Sequence, residues 1–174
     1  MGSNVLTVNI WRFALLVIVQ GLILSNINLQ LGWLRHLHII VYSVFIMLLP
    51  LRTPPIACIG LGFVIGFSID LFTNTIGMHA MAGSFVGLAR TAALGVLRPP
   101  NGYNLNLSPT RVNMGSAWII RYAAIMIAAH LIYFFSVESF TFVRFGEILK
   151  NFLVSYPFSL LAALMVLFGI NSKS

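Results

Sequence analysis

Apolar and polar residues alternate in long blocks along this chain, and the blocks predict six membrane-spanning helices. The apolar runs cover about residues 8–24, 37–49, 56–72, 77–97, 114–135 and 148–170. A transmembrane helix needs about 20 mostly apolar residues, and the short polar segments between the runs then serve as loops. We therefore expect a single all-α integral membrane domain that includes residues 1–174.

Proline and small polar residues mark the breaks between these runs. Three prolines within residues 50–55 end the second run, because proline lacks a backbone N–H and restricts φ. Residues 73–75 form a short polar turn, and residues 98–113 form the longest polar stretch, which is typical of a loop. Pro157 lies inside the sixth run and predicts a kink in that helix.

The composition favours a membrane protein and excludes several other classes. Apolar residues make up 59% of the chain and charged residues only 7%, whereas a soluble domain carries about 25% charged residues. The segments between the runs are too short for a nucleotide-hydrolysing module. The basic residues are scattered and form no block, so we do not expect nucleic-acid binding.

The distribution of basic residues predicts the orientation of the helices. With a cytoplasmic N-terminus, seven lysine and arginine residues fall on the cytoplasmic side and three on the other side, which the positive-inside rule favours. The cytoplasmic set is Arg12, Arg52, Arg90, Arg98, Arg111, Arg121 and Lys173, and the other set is Arg35, Arg144 and Lys150. Both termini are therefore expected in the cytoplasm, with the turn at 73–75 facing outward.

Two neighbouring runs carry glycine at a spacing that lets membrane helices approach closely. Small residues four positions apart lie on one helical face and allow two backbones to meet. The third run presents Gly62, Gly66 and Asp70 in this register, and the fourth presents His79, Gly83 and Gly87, with Arg90 three positions further on. We expect the two faces to pack against each other, which brings Asp70 close to His79 at one end of the hairpin.

Asp70 and His79 are ionisable residues at the ends of apolar runs, where charge is costly. In a structural interpretation, Asp70 accepts hydrogen bonds from the turn or from the start of the fourth helix, and His79 is its neutral partner. In a functional interpretation, the pair contacts a partner helix or a ligand, and catalysis is a third possibility. Arg90 has two interpretations as well, either an anchor at the cytoplasmic membrane surface or a contact with a lipid phosphate or partner.

The inventory of reactive residues does not favour an enzyme. The acidic residues are Asp70, Glu138 and Glu147, and hydrolysis by paired carboxylates needs two of them at one site. The chain contains neither a His-Glu-x-x-His pattern nor a phosphate-binding glycine loop. The sequence therefore predicts a non-enzymatic protein that uses no metal and no cofactor.

Residues 50–100 resemble the signature region of the rod shape-determining MreD family. The resemblance rests on residues 62–80, in which a glycine-containing helix ending in Asp-Leu is followed by a short polar turn and then by Gly-x-His-Ala. The proline-rich segment before this helix fits the same pattern, as do the later Ala-Arg90 and Leu-Arg-Pro99. The long loop at 101–113 departs from the pattern.

The resemblance implies a non-enzymatic scaffold in the bacterial inner membrane, in contact with membrane lipid. MreD proteins belong to the cell-elongation complex with MreC, the actin-like MreB filament, and the RodA glycosyltransferase with its penicillin-binding transpeptidase. That complex directs peptidoglycan synthesis and rod shape. The residues to which the resemblance assigns helix packing or MreC docking are Gly62, Gly66, Asp70, Gly77, His79, Gly83, Gly87 and Arg90.

A substrate-binding subunit of a vitamin-type energy-coupling-factor transporter is the main alternative function. The fold of MreD proteins is similar to the six-helix fold of these subunits, so the resemblance implies the same architecture for both functions. The transporter function would need a polar pocket open to the outside, and Asp70, Asn74, His79 and Glu138 are the candidate liners. A membrane enzyme that acts on a lipid or a peptide is the third function.

Overall fold

The computed structural model describes residues 3–26, 37–75, 77–139 and 145–170, and the regular structure within these ranges is helical, without a strand. The helices are α1 (Ser3–Ile18), α2 (Val44–Leu48), α3 (Pro55–Thr73), α4 (Met78–Val96), α5 (Arg111–Met114), α6 (Ser116–Glu138) and α7 (Phe145–Gly169). α1 continues into a π-helical turn at Val19–Ile23 and a 3-10 turn at Leu24–Asn26. The predicted all-α class is confirmed for this part of the chain.

Four helical segments are long and apolar enough to cross a membrane, namely Thr7–Asn26, α3, α6 and α7. They coincide with the first, third, fifth and sixth predicted runs, with ends that differ by a few residues. The fourth run, predicted at 77–97, forms α4, which has 19 residues but is less apolar because it carries His79, Ser84, Arg90 and Thr91. α7 remains a continuous helix with Pro157 inside it.

The second predicted run, 37–49, does not form a membrane-length helix, so that prediction is wrong in its secondary structure. Residues 37–41 form neither helix nor strand, and their backbone hydrogen bonds alternate between two sides as in an extended chain. Only Val44–Leu48 form the short helix α2. The β-branched residues Ile39, Ile40 and Val41 favour extended backbone, and Pro50 prevents the helix from continuing. An uninterrupted apolar run has no periodicity that separates the two structures.

The backbone of this extended segment is hydrogen-bonded on one edge by Gln20, which lies in the π-helical turn of the first helical segment. The carboxamide oxygen of Gln20 accepts from the N–H of Val41 at 2.8 Å, and its nitrogen donates to the carbonyl of Ile39 at 3.0 Å. Gln20 therefore contacts the segment at two points, as a neighbouring β-strand would.

Two serines of α7 hydrogen-bond the opposite edge of the segment. Ser155 accepts from the N–H of His38 at 3.0 Å. Ser159 accepts from the N–H of Ile40 at 3.0 Å and donates to the carbonyl of His38 at 3.1 Å. Alternate residues of an extended chain point their polar groups to opposite sides, so Gln20 and the serines of α7 each satisfy one side. Irregular backbone at membrane depth is tolerated when it is buried and paired in this way.

The remaining helices surround the segment and α2. α4 packs against α3 on one side and α6 on the other, and α6 packs against α7. α2 contacts α1, α3, α4 and α7 and therefore lies at the centre of the bundle. The largest fully buried side chains include Tyr42 just before α2 and Tyr122 and Phe135 of α6.

The predicted loop at 98–113 is found at 97–110 and folds back onto the chain. The N–H of Leu51 donates to the carbonyl of Leu107, and the N–H of Arg52 donates to that of Leu105, both at 3.0 Å. The short helix α5 follows, and Gly115, with φ of 83°, separates it from α6. We call this the loop end of the bundle, and the opposite end, where α3 finishes and α4 begins, the Asp70 end.

Two aromatic side chains attach the loop to the helices around it. The hydroxyl of Tyr103 donates to the carbonyl of Leu94 at 3.0 Å, and the indole N–H of Trp118 donates to that of Leu97 at 3.0 Å. Partial burial raises the pKa of the Tyr103 phenol above its usual value. The hydroxyl therefore stays protonated at neutral pH and remains a donor.

Candidate functional site

α3 and α4 pack with their backbones in direct contact along the two glycine rows. A Cβ atom on Gly62 would lie closer than 3.0 Å to the carbonyl oxygen of Gly83, and a Cβ on Gly83 would meet the carbonyl of Gly62. Gly66 faces the carbonyl of His79 in the same way, and Gly87 faces the backbone of α3. We call this contact the glycine seam. It joins two helices of this chain, so these glycines are not left open to a partner.

Two residues in the left-handed region shape the turn that precedes α4. Asn74 has φ of 55°, and Gly77, immediately before Met78, has φ of 79°. Asparagine enters this region more readily than most residues, and glycine enters it without steric cost. A Cβ on Gly77 would meet nothing within 4 Å, so its requirement is conformational rather than steric. The turn places the start of α4 beside Asp70.

The Asp70 carboxylate accepts four hydrogen bonds from the turn and from the start of α4. Its Oδ1 accepts from the backbone N–H of His79 at 3.0 Å, from Nδ1 of His79 at 2.9 Å and from the Thr75 hydroxyl at 2.6 Å. Its Oδ2 accepts from the backbone N–H of Ala80 at 3.0 Å. Two N–H groups that lack partners inside α4 are thereby satisfied. These are the contacts that the structural interpretation of Asp70 predicts.

The surroundings of Asp70 favour a negative charge, although the residue is only 5% exposed. Each of its four contacts is a donor, and an ionised carboxylate can only accept. It also lies at the N-terminus of α4, where the helix dipole favours an anion. Nδ1 of His79 therefore carries a proton, and in the uncharged form of the ring Nε2 is then an acceptor.

Tyr42 and His130 extend this network across the core. The Tyr42 hydroxyl donates to the carbonyl of His79 at 3.1 Å and lies 2.9 Å from Nε2 of His130. Because the hydroxyl has one proton, His130 donates from Nε2 to the Tyr42 oxygen. Its Nδ1 is then an acceptor, buried and without a partner among the described residues. The sequence offered one signal for His130, a histidine in the middle of an apolar run, and none for Tyr42.

Arg90 is buried inside the bundle, so its interpretation as an exposed anchor or lipid-phosphate contact is wrong, whereas burial is compatible with the assignment to helix packing. The residue is 3% exposed. Its Nη2 donates to the carbonyls of Leu49 at 2.6 Å and Pro50 at 3.1 Å, and its Nη1 donates to Sγ of Cys58 at 3.3 Å. The carbonyls that follow a helix C-terminus lack partners and attract positive charge. Arg90 therefore stabilises the chain just after α2.

A polar cavity of about 270 Å³ lies at the Asp70 end. Its walls come from the end of the first helical segment, the extended segment, the turn after α3, the start of α4 and the end of α6. The polar liners are Gln20, Ser25, His38, Thr73, Thr75, His79 and Glu138. Nε2 of His38 lies 3.8 Å from Oε1 of Glu138, and both side chains are partly exposed.

The structure brings two of the four predicted pocket liners to this cavity. His79 and Glu138 line it, Asp70 lies behind His79, and Asn74 is not part of its wall. The sequence contained no signal that the end of the first helical segment and His38 would line the cavity, because this depends on the extended path of residues 37–41. Within the described ranges, no group of three His, Cys, Asp or Glu side chains is placed to hold a metal ion.

Comparisons with protein-family models, with curated proteins and with solved structures found no match for this chain. Two features stand out. The first is the glycine seam closed by Asp70, which is a packing device. The second is the polar cavity beside His79, which is large enough for a small molecule.

Proposed function

We propose that this chain is an MreD-type scaffold of the bacterial inner membrane, which crosses the membrane six times with both termini in the cytoplasm. It binds the membrane helix of MreC and, with MreB, RodA and the penicillin-binding transpeptidase, directs peptidoglycan synthesis during rod elongation. The observation that carries this proposal is the hairpin of α3 and α4. Buried there at one contact between the two helices are Gly62, Gly66, Asp70, His79, Gly83 and Gly87.

Each signature position has a distinct physical task in that unit. Gly62 and Gly66 allow the backbones to touch, and Gly77 permits the turn. Asp70 then holds the first turn of α4 through His79 and Ala80. A group of positions whose tasks depend on one another is what a family signature would preserve. This interdependence supports assigning residues 50–100 to the same structural role as in MreD.

The path of residues 37–51 supports six crossings in spite of the short helix α2. His38 lies near Glu138 at the Asp70 end, and Leu51 pairs with Leu107 at the loop end. Thirteen helical residues would cover about 20 Å, too little for a bilayer core of about 30 Å. Extended residues rise about 3.3 Å each, so the observed mixture of extended chain and short helix covers roughly 30 Å.

The glycine seam is occupied by the chain's own helices, so a partner helix must bind another face. α1 and the π-helical turn after it present an exposed apolar stripe, which we call the α1 stripe; it is formed by Trp11, Leu15, Ile18 and Leu22. α1 packs mainly through its contacts with α2 and α3 and leaves this stripe uncovered within the described residues. We therefore propose the α1 stripe as the surface that receives the membrane helix of MreC.

Co-purification from detergent tests this proposal. We expect the tagged chain to retain MreC in about equal amounts and to retain an unrelated single-span protein at less than about a tenth of that level, as specific helix packing predicts. Replacing Leu15 and Leu22 with tryptophan should lower MreC recovery at least fivefold, because bulky residues prevent close approach of the helix.

The matched control places tryptophan at Leu153 and Leu161 on the exposed face of α7. Both double variants should melt within a few degrees of the unchanged chain, since lipid accepts tryptophan at exposed positions. Absence of MreC recovery with the unchanged chain would contradict the scaffold proposal. Equal loss of MreC recovery in both double variants would contradict the assignment of the docking surface to the α1 stripe, but not the scaffold proposal.

The polar cavity is a specific observation in favour of the alternative function, a substrate-binding subunit of a vitamin-type transporter. His79 and Glu138 line the cavity as that function requires. On this alternative, denaturing the purified chain should release a small molecule at close to one equivalent, which mass spectrometry would detect. Its release together with failure to retain MreC would favour the transporter subunit over the scaffold.

A further inference from the structure

The donors around the polar cavity are largely engaged in contacts within the chain. The Ser25 hydroxyl donates to the carbonyl of Gln20 at 2.7 Å, and the Gln20 carboxamide is held by the extended segment. The Thr75 hydroxyl donates to Asp70. A ligand in this cavity would therefore find few donors that are not already in use.

Two acceptors remain beside the cavity. Nδ1 of His79 is directed at Asp70 at 2.9 Å, so Nε2 of the neutral ring is an acceptor, and it has no partner among the described residues. The carboxylate of Glu138 is the second acceptor, and its contact with His38 is long, at 3.8 Å. A ligand that donates hydrogen bonds would complement both groups.

Apart from the histidines, the described groups at the cavity that can carry a charge are carboxylates. Glu138 lines the wall, and Asp70 lies behind His79, whereas the described liners include no lysine or arginine. Opposite charges attract strongly where water is partly excluded. Phe134 adds an aromatic ring to the wall, with its centroid 5.1 Å from that of His79. An aromatic ring further favours a cation.

We propose that this cavity binds a primary ammonium group, carried either by a small free amine or by a lysine-type side chain of a peptide. A volume of about 270 Å³ accommodates a short aliphatic amine with a few heavy atoms. The ammonium group donates to Glu138 and to Nε2 of His79, and its aliphatic part lies against Phe134. The site is separate from the α1 stripe, so MreC docking and ammonium binding can fail independently. If the transporter alternative holds, the proposal names its substrate class.

Titration of the full chain in zwitterionic lipid nanodiscs tests the site, with n-butylammonium, n-butanol and butyrate as probes of equal length. We expect saturable binding of n-butylammonium with at least a tenfold lower Kd than that of n-butanol, and no binding of butyrate. Lysine blocked at both backbone ends, compared with norleucine blocked in the same way, separates the two sources. Tenfold preference for blocked lysine over n-butylammonium indicates a peptide side chain, and the reverse indicates a free amine.

Glu138→Gln should weaken n-butylammonium binding about tenfold, because it removes the charge and keeps the shape. Glu147→Gln is the matched control, since Glu147 lies in the first turn of α7 and does not line the cavity. It should leave the Kd within twofold. Melting temperatures of both variants verify that they are folded. Equal affinity for n-butylammonium and butyrate, equal effects of the two substitutions, or no saturable binding of n-butylammonium would overturn the proposal.

Discussion

Gly66→Ala is expected to lower the melting temperature of the purified chain by roughly 10 °C. The new Cβ would lie closer than 3.0 Å to the carbonyl oxygen of His79, which belongs to the backbone of α4 and cannot rotate away. α3 and α4 must therefore separate along the glycine seam. Overpacking of this kind costs about 3 kcal/mol, which for a chain of this size corresponds to roughly 10 °C.

Gly60→Ala is the matched control, because it makes the same chemical change in the same helix. A Cβ on Gly60 would meet nothing within 4 Å. Alanine is favoured over glycine inside a helix by up to about 1 kcal/mol, so this variant should melt at the same temperature or slightly higher. Both are measured by circular dichroism at one scan rate in one detergent. If the two variants melt together, the glycine seam is not as close as the structure describes.

Asp70→Asn is expected to destabilise the chain by about 3 kcal/mol or more, because hydrogen bonds to a charged acceptor contribute about 1.5–3 kcal/mol each. The carboxylate accepts from the backbone N–H groups of His79 and Ala80, from Nδ1 of His79 and from Thr75. An asparagine has one acceptor oxygen, and its NH₂ group would face donors. At least one donor at the start of α4 is then left buried without a partner.

Two further substitutions provide smaller losses of stability for comparison with Asp70→Asn. Thr75→Val removes only one of the donors to Asp70 and should cost about 1.5 kcal/mol. Ser68→Ala, two residues before Asp70, removes a hydroxyl that bonds within α3 to Val64, and should change stability by less than about 0.5 kcal/mol. Thermal unfolding should therefore rank the three variants with Asp70→Asn as the least stable. A melting temperature of Asp70→Asn equal to that of Ser68→Ala would refute the capping role.

The glycine seam is a tertiary contact that residue spacing in the sequence predicts. Gly62, Gly66 and Asp70 repeat every four residues, and so do His79, Gly83 and Gly87. That period places each set on one helical face whatever the rest of the chain does. A turn of a few residues between the two runs makes the helices antiparallel neighbours. The close pairing of Asp70 with His79 then follows from local sequence.

The burial of Arg90, by contrast, could not be predicted from residue spacing. Its position near the end of an apolar run is compatible with a surface anchor, and the register alone cannot separate that from burial. The carbonyls that it binds, at Leu49 and Pro50, lie about 40 residues earlier in the chain. They reach Arg90 because α2 passes through the centre of the bundle. No local pattern in the sequence reports that arrangement.

The sequence by itself determined the all-α class, the positions of the four helices that are apolar enough to cross a membrane and the register of the seam, because these depend on hydrophobic content and on period. Only the tertiary structure decided the path of residues 37–41 and the cavity beside His79. An apolar run reads the same whether it is helical or extended. Here Gln20 and the serines of α7 settle the matter, since they supply the hydrogen bonds that extended backbone needs inside the bundle.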